Sequence, residues 1–124
     1  MKILFFLLLF CSSANAINLE KYYQEPLTER DKKLIVTSTI LQGIDMLQTL
    51  EIANNDNYYE TNPILGKHPS EFQVITYFIT RAFTLSELTK MTSQKYRGFV
   101  HAFNIAYNYD TVRKNHSIGI RIGF

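Results

Sequence analysis

Two opposite charges lie near the middles of two predicted helices, where they could form an ion pair. Asp45 and Arg81 each occur in a segment that is otherwise largely apolar. A charge held at membrane depth usually marks an ion or proton path. A buried pair that fixes the register of two helices is the commoner use of such residues. Both interpretations stay open on the sequence alone.

His101 is the third residue whose side chain could carry chemistry, because an imidazole can titrate near neutral pH. A lone histidine in a helix is more often a hydrogen-bonded structural residue. His68 and His116 have no metal-ligand spacing to it. The sequence also lacks a Gly-rich phosphate loop, a nucleophile elbow and a paired-carboxylate motif. We therefore predict no enzyme activity, no cofactor and no metal site.

The polar residues of the three predicted helices form narrow lines, spaced alternately three and four residues apart. This spacing keeps their side chains on one face of a helix. The lines contain Ser38, Gln42, Asp45 and Thr49; Gln73, Tyr77, Thr80, Thr84 and Glu87; and Arg97, His101, Asn104, Asn108 and Thr111. The remaining faces are mostly apolar, whereas a water-soluble helix usually has a narrow apolar stripe and a broad polar face.

This pattern favours a bundle whose polar side chains meet inside while apolar ones face lipid. We predict a buried polar network within it, formed by Asp45, Gln42, Arg81, Glu87, His101 and Asn104. The alternative is an ordinary soluble bundle in which the polar lines are solvated. A central Asp or Arg costs about 2.5–3.5 kcal/mol on insertion into a membrane, so none of the segments would insert readily by itself.

Turn and capping residues divide the chain into helices at about 29–53, 70–92 and 94–114. Thr28 and Ser93 are candidate caps, and Ser70 with Gln73 forms a capping box. Residues 118–124 alternate between apolar and other residues, the pattern of one short strand. The predicted fold is all-α, a membrane-embedded three-helix bundle with a short extended C-terminal tail.

The loop between the first two helices combines aromatic, apolar and turn-forming residues. It is either a well-packed connector or a surface that binds a partner protein. The residues predicted to contact a partner are Tyr58, Tyr59, Glu60, Asn62, Pro63 and Leu65. The sequence favours neither interpretation.

Residues 1–16 have the features of a signal peptide. Lys2 precedes an apolar run over residues 3–11, and Ala14 and Ala16 fit the small-residue pattern of a cleavage site. A lipoprotein acylated at Cys11 is the alternative, although the large Phe10 before it argues against that cleavage. The remaining residues 17–124 would form a single helical domain. Its small net charge gives no indication of a nucleic-acid partner.

The string YYETNPILGKHPS, preceded by DMLQTLEIA, resembles the loop of small uncharacterised bacterial and phage helical membrane proteins. The resemblance covers residues 45–70. It implies a helical membrane protein and attaches no activity to it.

Together these observations predict a small exported protein of the inner membrane that contacts lipid. It would act in the cell envelope through contacts with an unknown envelope protein or with further copies of itself. A soluble periplasmic binding or inhibitor module is the first alternative. An ion- or proton-conducting oligomer that depends on Asp45, Arg81 and His101 is the second.

Overall fold

The computed structural model describes residues 25–122, which fold into three α-helices. We name them α1 (Glu29–Ala53), α2 (Glu71–Met91) and α3 (Gln94–Ser117). The predicted all-α fold with three helices is confirmed, and α3 is longer than expected. Within this part of the chain, no helix combines the length and apolar composition needed to cross a membrane. The predicted signal peptide lies outside the described residues.

Reciprocal capping boxes begin the first two helices. The hydroxyl of Thr28 accepts a hydrogen bond from the backbone N–H of Asp31, whose carboxylate accepts one from the N–H of Thr28. Ser70 and Gln73 form the same arrangement at the start of α2, as their spacing predicts. Each box satisfies backbone donors that the first turn of a helix leaves unpaired. Both helix starts are therefore determined by local sequence.

The three helices form an up-down-up arrangement in which α1 packs against both of the others. Hydrogen bonds join Ser38 to His101 and Gln48 to Asn115, so α1 and α3 run in the same direction. Between α2 and α3 the chain reverses over residues 92–93. Contacts between Ser38 and His101 and between Gln42 and Asn104 show that the polar lines predicted on α1 and α3 meet between these two helices.

The bundle is polar inside and exposes many large apolar side chains. Among residues 25–122, the buried hydrophobic side chains are Ile52, Val74, Phe78 and Ile120. They are outnumbered by buried polar and charged side chains: Asp31, Ser38, Gln42, Asp45, Gln48, Thr49, Thr89, Arg97, His101 and Asn108. In contrast, the exposed fraction is 78% for Phe72 and Phe103 and 74% for Phe99. This distribution is the reverse of that in water-soluble proteins.

The predicted C-terminal strand does not form within residues 118–122. Instead, α3 ends in a Schellman motif: the N–H of Ile120 donates to the carbonyl of Asn115, and the N–H of Gly119 donates to that of His116. Gly119 has a φ of +96°, and Ile120 is buried. The alternating pattern thus includes a glycine that ends a helix and an isoleucine that packs back onto the bundle.

Two glycines predict opposite responses to alanine substitution. We expect Gly119→Ala to destabilise the bundle by about 1 kcal/mol, because an alanine strains the left-handed backbone that Gly119 adopts. The added Cβ would also lie 3.4 Å from the Tyr58 hydroxyl. Gly43→Ala is the matched control in α1, where no atom lies within 4 Å of the new Cβ. It should stabilise by about 0.5–1 kcal/mol. Unfolding with increasing denaturant, followed by helicity, tests both; stabilisation by Gly119→Ala would contradict the assignment.

Candidate functional site: the polar core and the loop cavity

Arg97 holds one end of the polar core together. Its fully buried guanidinium donates through Nη1 to the Asp31 carboxylate (3.1 Å) and to the carbonyl of Pro26 (3.0 Å). Its Nε–H donates to the carbonyls of Thr89 (3.0 Å) and Thr92 (2.9 Å). These bonds join α1, the end of α2, the following turn and the segment before α1. Arg97 is therefore a structural clamp.

Neither member of this buried pair belongs to the predicted network. An acid in the first turn of a helix is expected to stabilise the helix start, so Asp31 gave no reason to predict its contact with Arg97. Its spacing contains a further signal, because Asp31, Ser38 and Asp45 are each seven residues apart. Arg97 begins the polar line of α3. Combining the two patterns would have identified the pair.

His101 is fully buried between two hydroxyl groups. Its Nδ1 lies 3.2 Å from Oγ of Ser38, and its Nε2 lies 3.0 Å from Oγ1 of Thr89. The Thr89 hydroxyl donates its only hydrogen to the carbonyl of Leu85 (2.7 Å), so it accepts from Nε2–H. Burial lowers the pKa of His101 and so favours the neutral ring, whose Nδ1 then accepts from the Ser38 hydroxyl. This assignment uses both ring nitrogens and supports a structural role for His101.

The contact between Thr89 and His101 predicts the effect of removing one hydroxyl. We expect Thr89→Val to lower the free energy of unfolding by about 1–3 kcal/mol, because the buried Nε2–H loses its acceptor. Thr37→Val is the control, since the Thr37 hydroxyl is exposed and bonds only the carbonyl of Lys33. Thr37→Val should therefore change the free energy of unfolding only slightly. The free energy of unfolding is measured with increasing denaturant, and equal losses for the two variants would contradict the assigned contact.

Beyond His101, towards the C-terminal end of α3, the polar core contains three amide side chains, those of Gln42, Asn104 and Asn108. Nε2 of Gln42 donates to Oδ1 of Asn104 over 3.5 Å, and Nδ2 of Asn108 donates to the same oxygen over 2.8 Å. The remaining acceptors, Oε1 of Gln42 and Oδ1 of Asn108, are buried without a hydrogen-bond donor among residues 25–122. Unsatisfied buried acceptors are costly. The amide cluster is therefore an incomplete network.

The structure places Asp45 and Arg81 next to each other. Nη1 of Arg81 lies 3.7 Å from Oδ2 of Asp45, and the guanidinium stacks 5.3 Å from the ring centre of Tyr107. These contacts join all three helices at one level. Glu87, which the polar line assigns to the buried network, is instead partly exposed and pairs with Lys90 at 2.7 Å. It lies outside the buried core because the predicted α2 line faces outward: Gln73, Thr80 and Thr84 of that line are exposed, whereas α2 buries Val74, Phe78 and Thr89.

Hydrogen bonds within the loop between α1 and α2 give it a defined shape. The side-chain oxygen of Asn62 accepts from the N–H of Ile64 (3.0 Å), and its carbonyl accepts from the N–H of Leu65 (3.1 Å). Such turns are typical of asparagine. The N–H of Glu60 donates to the carbonyl of Lys67 (2.9 Å), which closes the base of the turn. The loop therefore presents its side chains in fixed positions.

The loop covers a cavity of about 270 Å³ at the end of the polar core. Asp45 and Arg81 line this cavity together with four of the predicted loop residues: Glu60, Asn62, Pro63 and Leu65. Of the other two loop residues, Tyr59 points outward with an exposed fraction of 62%, and Tyr58 lies beside Gly119. The structure thus joins parts of two residue groups that the sequence suggested separately.

The cavity is suited to binding a small polar or charged group. Its wall includes acids (Asp45, Glu60 and Asp110) and bases (Arg81 and Lys114). Within residues 25–122, no three His, Cys, Asp or Glu side chains are grouped so that they could hold a metal ion.

Comparisons with known proteins found no relative: no protein-family model, curated protein or solved structure matches this chain.

Proposed function

We propose that this chain is a membrane-embedded component of the cell envelope that acts by contact with other proteins, without catalysis. The observation that carries the proposal is the distribution of side chains, in which polar groups dominate the inside and many large apolar side chains are exposed. In water, an exposed surface of this kind would drive association or aggregation. In a lipid bilayer the same surface is compatible with its surroundings, and polar side chains inside hold the helices together.

The positions of the charged residues support this environment. In residues 34–50 of α1 the only charge is Asp45, in 72–86 of α2 it is Arg81, and in 96–109 of α3 it is Arg97. Asp45 and Arg97 are buried, and the Arg81 side chain has an exposed fraction of 18%. At 1.5 Å per residue, these stretches measure about 20–26 Å. That approaches the roughly 30 Å of a bilayer core, and long basic side chains at the ends can reach the interface.

The whole-helix composition is a poor guide to the surface that lipid would contact. In α1 the residues that lower its mean hydropathy include Ser38, Gln42, Asp45 and Gln48, and each of them is buried. Lipid would instead meet Val36, Ile40 and Leu47, which are exposed. Insertion would therefore occur with the helices already paired, so that the polar side chains satisfy one another.

Contacts with partner proteins would use the rigid loop over residues 54–70 and the apolar outer faces. Tyr59 and Ile64 are exposed on that loop, with exposed fractions of 62% and 68%. Exposed aromatic residues of this kind are enriched in protein interfaces and at membrane–water boundaries. The resemblance to bacterial and phage membrane proteins also supports this proposal. The partner would be another envelope protein or a second copy of the chain.

Fractionation of cells that express the precursor tests the proposal. Membranes are washed at alkaline pH, and the mass of the retained protein gives its N-terminus. We expect retention in the washed pellet and a mature chain that begins at Ile17, because export at the inner membrane would remove residues 1–16. Release into the periplasmic fraction would instead identify a soluble module.

A further inference from the structure

Two neighbouring cavities share Leu65 and Arg81 as walls. One is the polar cavity of about 270 Å³ beneath the loop. The other is a groove of about 630 Å³ along α2, whose apolar wall includes Phe72, Leu85 and Leu88. Together they form one amphipathic site, polar at the end of the bundle and apolar along its side.

The polar cavity presents both signs of charge to a ligand. Asp45 is buried, yet its carboxylate accepts no hydrogen bond from residues 25–122, and its cation Arg81 is 3.7 Å away. Glu60, on the loop, is close enough to Asp45 to act on it electrostatically. Arg81, beside Asp45, and Lys114 supply positive charge, and Lys114 also pairs with Asp110. An ionised carboxylate can accept several hydrogen bonds, so Asp45 has room for a donor.

We propose that this site binds one lipid molecule whose head group carries a primary ammonium and a phosphate. The ammonium would donate to Asp45 and Glu60, the phosphate would face Arg81 and Lys114, and an acyl chain would lie in the groove. The proposal rests on the membrane location proposed above. A primary ammonium fits better than a quaternary one, because only the former can donate hydrogen bonds to Asp45. The face of Tyr107 that could attract a quaternary ammonium already stacks with Arg81.

The experiment measures which lipid the protein retains. The full chain is reconstituted in vesicles of equimolar phosphatidylethanolamine, phosphatidylglycerol and phosphatidylcholine and then extracted in mild detergent. Native mass spectrometry identifies the lipid that stays bound. We expect one bound phosphatidylethanolamine, enriched about tenfold over phosphatidylcholine, as one charge-assisted hydrogen bond would give. Equal retention of the three lipids by a correctly folded protein would overturn the assignment.

Substitutions on the cavity wall test the head-group contacts. Glu60→Gln should reduce the enrichment of phosphatidylethanolamine about tenfold, because Glu60 faces the ammonium. Lys114→Gln should instead lower retention of all three lipids, because Lys114 faces the phosphate that they share. Glu29→Gln and Lys95→Gln are the controls, since these residues are exposed and lie at the other end of the bundle. Helicity of every variant is measured first, so that misfolding is not mistaken for lost binding. Unchanged enrichment in folded Glu60→Gln would contradict the ammonium contact, and unchanged total lipid retention in folded Lys114→Gln would contradict the phosphate contact.

The acyl-chain half of the site has its own test. Leu88→Asn in the groove should lower retention of any lipid, whereas Leu47→Asn, on the exposed face of α1, should not. Soluble phosphoethanolamine at the same concentration as a short-chain phosphatidylethanolamine should compete poorly. Equal competition would overturn the lipid assignment in favour of a free head-group ligand.

Failure of this inference can be told apart from failure of the membrane proposal. The alkaline wash is performed on the same vesicles before extraction. Protein that resists the wash but retains lipids without selectivity overturns the lipid site alone. Protein that the wash releases overturns both proposals.

Discussion

Replacing Phe103 by arginine is expected to prevent stable insertion of the bundle into a membrane. Phe103 lies near the middle of α3 with an exposed fraction of 78%, so its replacement removes no buried contact. If lipid covers this face, an arginine at the helix centre costs about 2.5–3.5 kcal/mol. That corresponds to roughly a hundredfold shift from the inserted to the released form. The measurement is the fraction retained after the alkaline membrane wash, with Ile79→Arg as a second central position on α2.

Tyr96→Arg supplies the matched control for this experiment. Tyr96 is also exposed, but it lies near the start of α3, where an arginine can extend to the interface. Its membrane retention should stay close to that of the unchanged protein. The comparison also discriminates between environments, because an exposed residue of a soluble bundle tolerates a charge at either position. Full retention of both central variants would therefore exclude lipid contact at these faces.

We expect Arg97→Gln to lower the free energy of unfolding by about 3–5 kcal/mol, the usual cost of breaking a buried ion pair. The substitution leaves the buried Asp31 carboxylate without its cation and removes guanidinium hydrogen bonds to backbone carbonyls. Unfolding in detergent micelles with increasing denaturant, followed by helicity, measures the loss. In the same variant, the segment before α1 should detach from α3, because Arg97 donates to the carbonyl of Pro26.

Two further variants separate the contributions of the Arg97 side chain. Arg97→Lys keeps the charge but cannot reproduce the planar array of donors, so it should recover only part of the loss. Arg113→Gln is the surface control on the same helix, since its side chain has an exposed fraction of 68% and its pair with Asp110 is solvated. A change for Arg97→Gln as small as that for Arg113→Gln would show that the buried clamp contributes little.

The helices could be predicted because their signals are local. The Ser70 and Gln73 capping box, for example, depends on residues three positions apart, and the structure contains both of its hydrogen bonds. The C-terminal tail was mispredicted for a related reason. Glycine at position 119 is compatible with an alternating strand or with a helix cap, and only the packing of Ile120 on the bundle selects the cap.

The candidate site was predicted only in part, because its two halves are far apart in the chain. Spacing placed Asp45 in the polar line of α1, Arg81 was identified only as an opposite charge near the middle of α2, and unusual composition identified the loop that contains Glu60. Nothing in the linear pattern joins these residues around one cavity, which depends on how the loop folds over the ends of the helices. The clamp of Arg97 on Asp31 was missed because its two residues are 66 positions apart.

The sequence by itself determined the three helices and the polar lines on them, because helical periodicity and capping depend on neighbours a few residues away. It left open whether those lines face water or one another. The tertiary structure decided this differently for different helices. The polar lines of α1 and α3 meet inside, where Ser38 contacts His101, whereas Gln73, Thr80 and Thr84 of the α2 line are exposed. Which face is buried depends on contacts between helices, and those contacts arise only when distant segments of the chain pack together.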